Sequence, residues 1–333
     1  MKRIVWLAAL IVGVMGCSTD EDFQTSPEHE PVLYVVFSPD GLGDNGYNDE
    51  ILWGVARLRS EQGQGLAVSL CVPDDMEDAG RQIRRIIGQM EDADAGRSLL
   101  VLATPDYVSL AQQLFAGREH DADRDVLVFE TDALQQTPVH SLLIDMYGAS
   151  WLAGRTARAM GCERPVCVLA NADARVLQGA RDGFADGFGE DVPTEYLARD
   201  AQGFAMADTL YRRMARYDQH YDFVFPVAGG SNMGGYRYLR EHDGGGLWTA
   251  GMDVDQSPYS NRIVGSVVKH IDELVYDFVT AWLRHAEQPL YQHFGLGSEY
   301  VNWQIATGYS HLLPAVEAVR DEAIRKEAAY EQQ

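Results

Sequence analysis

From Val32 onward, short apolar runs rich in β-branched residues alternate with longer stretches whose apolar positions recur every three or four residues. LYVVF (33–37), AVSLCV (67–72), SLLVLA (98–103) and DVLVFE (125–130) read as strands, and helical spacing follows near Asn48–Glu61, Ala79–Met90 and Tyr107–Ala116. The pattern then restarts. HSLLID (140–145) precedes a helix near Gly148–Met160, PVCVLA (165–170) one near Arg175–Phe188, and TEYLA (194–198) one near Phe204–Tyr217. DFVFPV (222–227), a glycine-rich loop at 229–235, a helix to Arg240 and LWTAGMD (247–253) complete the second unit. Apolar runs alternating with helices predict parallel sheets covered on both faces. Two such runs predict an α/β chain of two doubly wound lobes, each turning the carboxyl ends of its strands toward a shared cleft. Leu312–Gln333 is charged and helical, and is expected to be a solvated end.

The segment before Val32 follows different rules. MKRIVWLAALIVGVMGC has two early cations, an apolar run from Ile4 to Val14 and small residues before Cys17, so residues 1–16 read as a signal peptide. The apolar run falls short of the roughly 20 residues a permanent span needs. Val14-Met15-Gly16-Cys17 resembles a lipobox, which makes Cys17 the expected site of acylation and a lipid anchor to a bacterial membrane, with the outer membrane expected. Residues 17–31 are polar and acidic, the composition of a flexible tether. The acids after Cys17 also resemble surface-export signals, and a periplasmic or exterior orientation stays open. The formal net charge of −23 repels phosphate backbones and disfavours nucleic acid as a partner. Cys71, Cys162 and Cys167 remain after Cys17, too few for a disulfide framework. Cys162 and Cys167 are close enough in sequence to pair across a turn, with buried free thiols the expected state.

The densest chemistry lies in Asp40-Gly41-Leu42-Gly43-Asp44-Asn45-Gly46-Tyr47-Asn48, directly after the first strand. It contains a literal G-x-G-x-x-G, but Pro39 and Asp40 intrude before the first glycine, and Asp44 would face a pyrophosphate. No dinucleotide or other cofactor is therefore expected. A strand-end loop of this kind instead offers carboxylate acceptors, amides and a flat ring to an uncharged polar ligand, although Asn48 could serve as a helix cap alone.

This loop is similar to the D-x-G-x-x-D-x-S-F-N signature that opens the basic membrane protein family, lipoproteins that include purine-nucleoside receptors of ABC transporters. SWLAG (150–154), GARDGFADGF (179–188), VAGGSNMGGYRYLRE (227–241), GMDVDQS (251–257) and GSVVKHIDELVYD (265–277) resemble further segments of that family in the same order. The resemblance implies a type I periplasmic-binding fold with three crossovers. One lobe is expected over 32–136 plus about 259–290, the other over 137–258 plus about 291–333. It also implies a nucleoside-like ligand held between two rings, with Tyr47 in place of the first and Phe204 of the second. Asn45 and Asn48 fall where the base edge is met, with Asp44 a further ligand-binding residue of the same loop, Asp132, Asp253 and Lys269 fall where ribose hydroxyls are held, and Gly230 where backbone approaches the ligand. Gly46, Tyr47 and Asn171-Ala172 depart from the family's usual residues, and a phenol in place of a phenyl ring points to a more polar ligand.

The implied function is capture of a small solute for an ABC permease, without catalysis. A sensing lipoprotein that does not transport, or an exported enzyme on the same fold, are the alternatives. Gly229-Gly230-Ser231-Asn232-Met233 misses the G-x-S-x-G elbow at its last position. The nine histidines form no HExxH and no close His/Cys cluster, so no metal site is expected from spacing.

Overall fold

The computed structural model describes residues 30–332 apart from 40, 63, 64, 93–95 and 136. The expected signal peptide, Cys17 and most of the tether lie outside the described residues. In chain order the strands are β1 (Val32–Val36), β2 (Ala67–Cys71), β3 (Ser98–Leu102), β4 (Arg124–Phe129), β5 (His140–Ile144), β6 (Pro165–Leu169), β7 (Thr194–Tyr196), β8 (Phe223–Val227), β9 (Trp248–Asp253), β10 (Ile263–Lys269), β11 (Tyr291–Phe294) and β12 (Val301–Ile305). They form two sheets, ordered β2-β1-β3-β4-β5-β11 and β7-β6-β8-β9-β10-β12. Every pairing is parallel except that of β12 with β10. The interior strands β3, β6 and β8 are buried at every position, as continuous apolar runs require when helices cover both faces, whereas the edge strand β2 is largely open.

The helices are α1 (Tyr47–Gln62), α2 (Met76–Met90), α3 (Val108–Phe115), α4 (Tyr147–Ala159), α5 (Arg175–Phe188), α6 (Ala207–His220), α7 (Asn232–Glu241), α8 (Ile271–Leu283), α9 (Leu313–Glu317) and α10 (Arg320–Tyr330). The chain passes between the lobes three times. It leaves β5 in the first sheet for α4, which packs on α5 in the second lobe. It leaves β10 in the second sheet for α8, which packs on α1 in the first. It crosses finally between β11 and β12. The expected segments placed β5 and β11 in the second lobe and β10 in the first. The sheets hold them the other way, because each crossover follows a strand's last residue and no local pattern marks it.

Two helix pairs fix these crossings. Glycines 154, 183 and 187 let α4 and α5 touch backbone to backbone: a Cβ on Gly183 would stand 2.2 Å from the Tyr147 carbonyl oxygen and one on Gly187 2.0 Å from that of Trp151. Gly183 and Gly187 of GARDGFADGF are therefore packing devices. On the other side, Arg57 of α1 lies over the Tyr276 ring of α8 at 4.0 Å. The C-terminal segment is not the solvated end its charge suggests. Glu327 of α10 is buried, its carboxylate accepting from the N–H of Gly148 at 2.8 Å and of Leu296 at 2.7 Å, while Tyr330 stacks on Tyr147 at 4.5 Å. One carboxylate thus ties the first crossover to the third. Cys162 and Cys167 are buried free thiols, as the sequence leads one to expect.

Candidate functional site

The loop between β1 and α1 is organised by its own acids. Asp44 accepts from the N–H of Gly46 and of Asn48, each at 3.0 Å, and from Asn48 Nδ2 at 2.9 Å. Asp49 accepts from the N–H of Gly43 at 2.8 Å and of Asn45 at 2.9 Å. The Asp44 bonds cap α1, whose first N–H groups have no helical partner, and those of Asp49 fasten the loop before it. Asn48 completes the loop by accepting from Ser38 Oγ at 3.1 Å. One N–H and one lone pair of its amide are thus engaged within the first lobe, and the same bonds present Tyr47 at the cleft.

The second lobe meets this loop at three places. Asp44 faces Gly230, where a Cβ would come within 3.5 Å of the Asp44 Cβ. Gly46 faces Asp253, whose carboxylate would be 3.3 Å from a Cβ there. Asn45, in the left-handed region at φ 51°, accepts from Gln256 Nε2 through its carbonyl at 3.1 Å and from the Tyr259 hydroxyl through its side chain at 3.3 Å. The lobes are therefore described closed on this side. Gly230 supplies closeness of backbone, and Asn45 is a latch between lobes.

Behind these contacts lies an ion cluster. Lys269, the last residue of β10, donates to Glu130 at 2.8 Å and stands 3.0 Å from Asp253, with its ammonium 4.9 Å from the Tyr47 ring centroid. Glu130 follows β4 in the first lobe and Asp253 ends β9 in the second, so the lysine bridges the lobes just before a crossover. Both acids have left-handed backbone, φ 54° and 70°, a conformation that costs a non-glycine residue about 1–3 kcal/mol and gathers at functional sites. Burial raises the Glu130 carboxyl above its ordinary range, against the pull of Lys269. Burial also works against the lysine's charge, but Asp253 and Glu130 together outweigh it and hold its pKa above the usual value. Tyr47 is pushed well up by burial first and then by the charges of Glu130, Asp253, Asp44 and Asp106. Its hydroxyl is shut off from solvent and has no hydrogen-bond partner among the described residues. A buried phenol left this way loses about 1–3 kcal/mol unless a ligand or water meets it.

Phe204 lies outside the helix expected over 204–217, which begins only at Ala207. It occupies a short 3-10 turn, Ala201–Ala205, begun by Asp200 accepting from the N–H of Gln202 at 3.0 Å. Buried Ser231 pins the turn's end, donating to the Gly203 carbonyl at 2.7 Å and accepting from the Met206 N–H at 2.6 Å. The hydroxyl in the near-elbow sequence is thus spent on architecture. Phe204 consequently rests against Gly229, beside the glycine that faces Asp44.

Asp132 does not join the cluster. Two residues past the turn at Glu130, its carboxylate pairs instead with Arg175 at the start of α5, across the lobes. Both line a cavity of about 250 Å³ with Tyr291, His293 and Tyr330, on a flank that includes none of Tyr47, Phe204, Asp253 or Lys269. Glu130, Asp106, Gln256 and Tyr259 were not picked out from the sequence. Glu130 had a legible signal, a carboxylate just past the carboxyl end of a strand buried at every position but its first, and Gln256 lies within GMDVDQS.

Two largely parallel sheets with flanking helices, three crossovers and a polar cluster at the facing strand ends define a solute-binding protein of the type I periplasmic-binding class. The chain belongs to the family of PnrA-like ABC transporter substrate-binding proteins, whose model matches residues 32–327. Among solved structures it is similar to an ABC transporter solute-binding protein from Aeropyrum pernix K1, with 18% identity, a TM-score of 0.66, and 91% of this chain and 90% of that one covered. It also resembles a solute-binding protein from Burkholderia graminis in complex with D-arabinose, at 15% identity and a TM-score of 0.58, covering 80% and 93%. A transcriptional activator of the comK gene from Bacillus halodurans shares the fold at 15% identity and a TM-score of 0.61, covering 87% and 97%. No curated protein matches the sequence significantly. Membership of this family implies a small-molecule ligand, an ABC transporter as partner and a place in the cell envelope. No described helix is long and apolar enough to cross a membrane.

Proposed function

We propose that this protein captures a purine nucleoside between its lobes and hands the closed form to an ABC permease, with Cys17 acylated as its tether. The observation that carries the proposal is the Lys269–Glu130–Asp253 cluster beneath Tyr47, whose buried hydroxyl has no partner. Asp253 and Glu130 can accept from paired ribose hydroxyls while Lys269 neutralises them. Tyr47 and Phe204, from opposite lobes, offer rings for a flat base, and such stacking adds about 0.5–1.5 kcal/mol beyond area burial. Asp44, Asp106, Glu130 and Asp253 all act on Tyr47, with Lys269 the cation paired to two of them, a field that repels phosphate and favours nucleosides over nucleotides. The same cluster would suit a free sugar, as in the arabinose complex of the Burkholderia relative. The phenyl ring of Phe204 is what favours a base. The lysine is already engaged by two acids, which supports binding over nucleophilic chemistry.

Thermal shift of the purified chain against nucleosides, free bases and pentoses tests this. A ligand at a hundred times its dissociation constant stabilises by about 2.7 kcal/mol, a readily measured rise in Tm. Guanosine, inosine or adenosine should raise the Tm of the wild type and not of Asp253→Ala. A response to pentoses with none to nucleosides would transfer the site to sugars. Catalytic turnover of a nucleoside would overturn the binding-only reading.

A further inference from the structure

At the foot of the first lobe, facing away from the cleft, the fold assembles a cluster that no spacing in the sequence announces. Asp125 at the start of β4 and His140 at the start of β5 are both buried, and His120 reaches them from the loop before β4 with its side chain about one-third exposed. The two histidines present their Nε2 atoms to the two oxygens of one carboxylate, 3.4 Å from His120 to Oδ1 and 3.1 Å from His140 to Oδ2. Two ligands on one tetrahedral zinc ion, bonded at about 2.0–2.1 Å, stand roughly 3.3 Å apart. The three ligand atoms all lie within 4.8 Å of one another.

The surroundings match what a metal-binding histidine requires. His140 Nδ1 lies 2.9 Å from the Pro289 carbonyl, which can only accept, so Nδ1 carries a proton and fixes the ring. Its Nε2 then faces the Asp125 carboxylate, where either a second ring proton or a metal cation satisfies both groups. Metal-bound histidines are oriented by this kind of second hydrogen bond. Asp125 is oriented too, its Oδ1 accepting from the Val126 N–H at 2.8 Å, and the Phe278 ring packs edge-on against His140 at 5.2 Å. Arg97 acts on Asp125 only through space, its Nη1 donating to the Trp282 carbonyl at 2.6 Å. The other cluster, Asp145, His293 and Glu331, is differently built: one histidine stands between two carboxylates, 3.7 Å from Asp145 and 3.5 Å from Glu331, beside the cavity that Asp132 and Arg175 line.

We propose that His120, Asp125 and His140 form a site for a divalent transition-metal ion, zinc the best match, with a fourth position open to water past His120. The ion ties the loop before β4 to the base of the sheet and lies outside the solute cleft. Calorimetric titration of the purified full chain, stripped with EDTA, with ZnCl2 and with MgCl2 tests it. Zinc should bind at one equivalent and raise the Tm, and magnesium should do neither. His120→Ala, a loop change that leaves the buried pair in place, should weaken zinc binding at least about tenfold, and His293→Ala should leave it unchanged. Equal zinc uptake by the wild type and His120→Ala, or equal binding of magnesium, would show an acidic surface at work and reduce Asp125–His140 to a buried ion pair.

Discussion

Lys269 and Glu327 are each 3% exposed, each carry a formal charge, and each stand where the chain passes between lobes. Glu327 is met by two backbone N–H groups, from Gly148 and Leu296, which belong to the first and third crossovers. Lys269 is met by two carboxylates, one from each lobe, beneath a tyrosine whose hydroxyl has no partner. The first arrangement is complete in itself and serves the architecture of the hinge. The second leaves lone pairs and a phenol unspent and turns them to the cleft, so its remaining valence is for something that arrives between the lobes. Burial of a charge alone does not mark a site, and the decisive matter is whether its neighbours are already satisfied.

Breaking the Lys269 cluster should have the largest effect. Lys269→Met keeps most of the volume and leaves Glu130 and Asp253 buried without a cation, and removing one partner of a buried pair costs about 3–5 kcal/mol. Urea denaturation should show that loss, and ligand-induced stabilisation should vanish with it. A ligand response intact in Lys269→Met would show that the cluster holds the lobes together and nothing more.

The hinge acid gives a different signature, in pH. Glu327 is pushed up to about 7 by burial first and by the neighbouring Asp145 charge next, from an ordinary value of 4.5. Between those values the folded chain keeps a proton that the unfolded chain has lost. This group's stabilisation is therefore complete below about pH 4.5 and lost as pH rises through about 7, a change of up to about 3 kcal/mol. Glu50, raised by burial and by Asp272 beside it, acts in the same direction. Glu327→Gln should flatten part of the slope in Tm against pH. Turning an amide N–H toward one of two backbone donors should also lower stability by about 1–3 kcal/mol, while ligand binding survives at permissive temperature.

How much of this could be read beforehand differs by kind of information. The parallel, doubly wound character was legible because β3, β6 and β8 are apolar at nearly every position, and that holds whichever lobe a strand joins. Lobe membership of β5, β10 and β11 was not, since a crossover is a short link at a strand end with no composition of its own. Asp253 and Lys269 could be singled out through motif order, and the structure brings them within 3.0 Å. The partner assigned beside them, Asp132, was two residues off, because the left-handed turn at Glu130 decides which carboxylate faces the lysine. Glu327 was illegible: a glutamate in a charged helix reads as solvated, and only packing against α4 says otherwise. The same holds for His120, Asp125 and His140, scattered along the chain and joined by strand register.

The smallest expected effect concerns the latch. Asn45 reaches the second lobe through Gln256 and Tyr259, and neither bond touches the ion cluster. If these bonds exist only when the lobes close, they lower the free energy of the closed form without changing the site within it, and a ligand that binds the closed form gains the same amount. Tyr259→Phe removes one rim hydrogen bond, worth about 0.5–1.5 kcal/mol, so affinity should fall about two- to tenfold through a faster dissociation rate. Thermal stability without ligand should barely move, because the open form never makes the bond. Stopped-flow dissociation of the proposed nucleoside ligand would read this directly. An unchanged rate would mean that the Asn45 contact is passive, and that closure rests on Lys269 and its two acids alone.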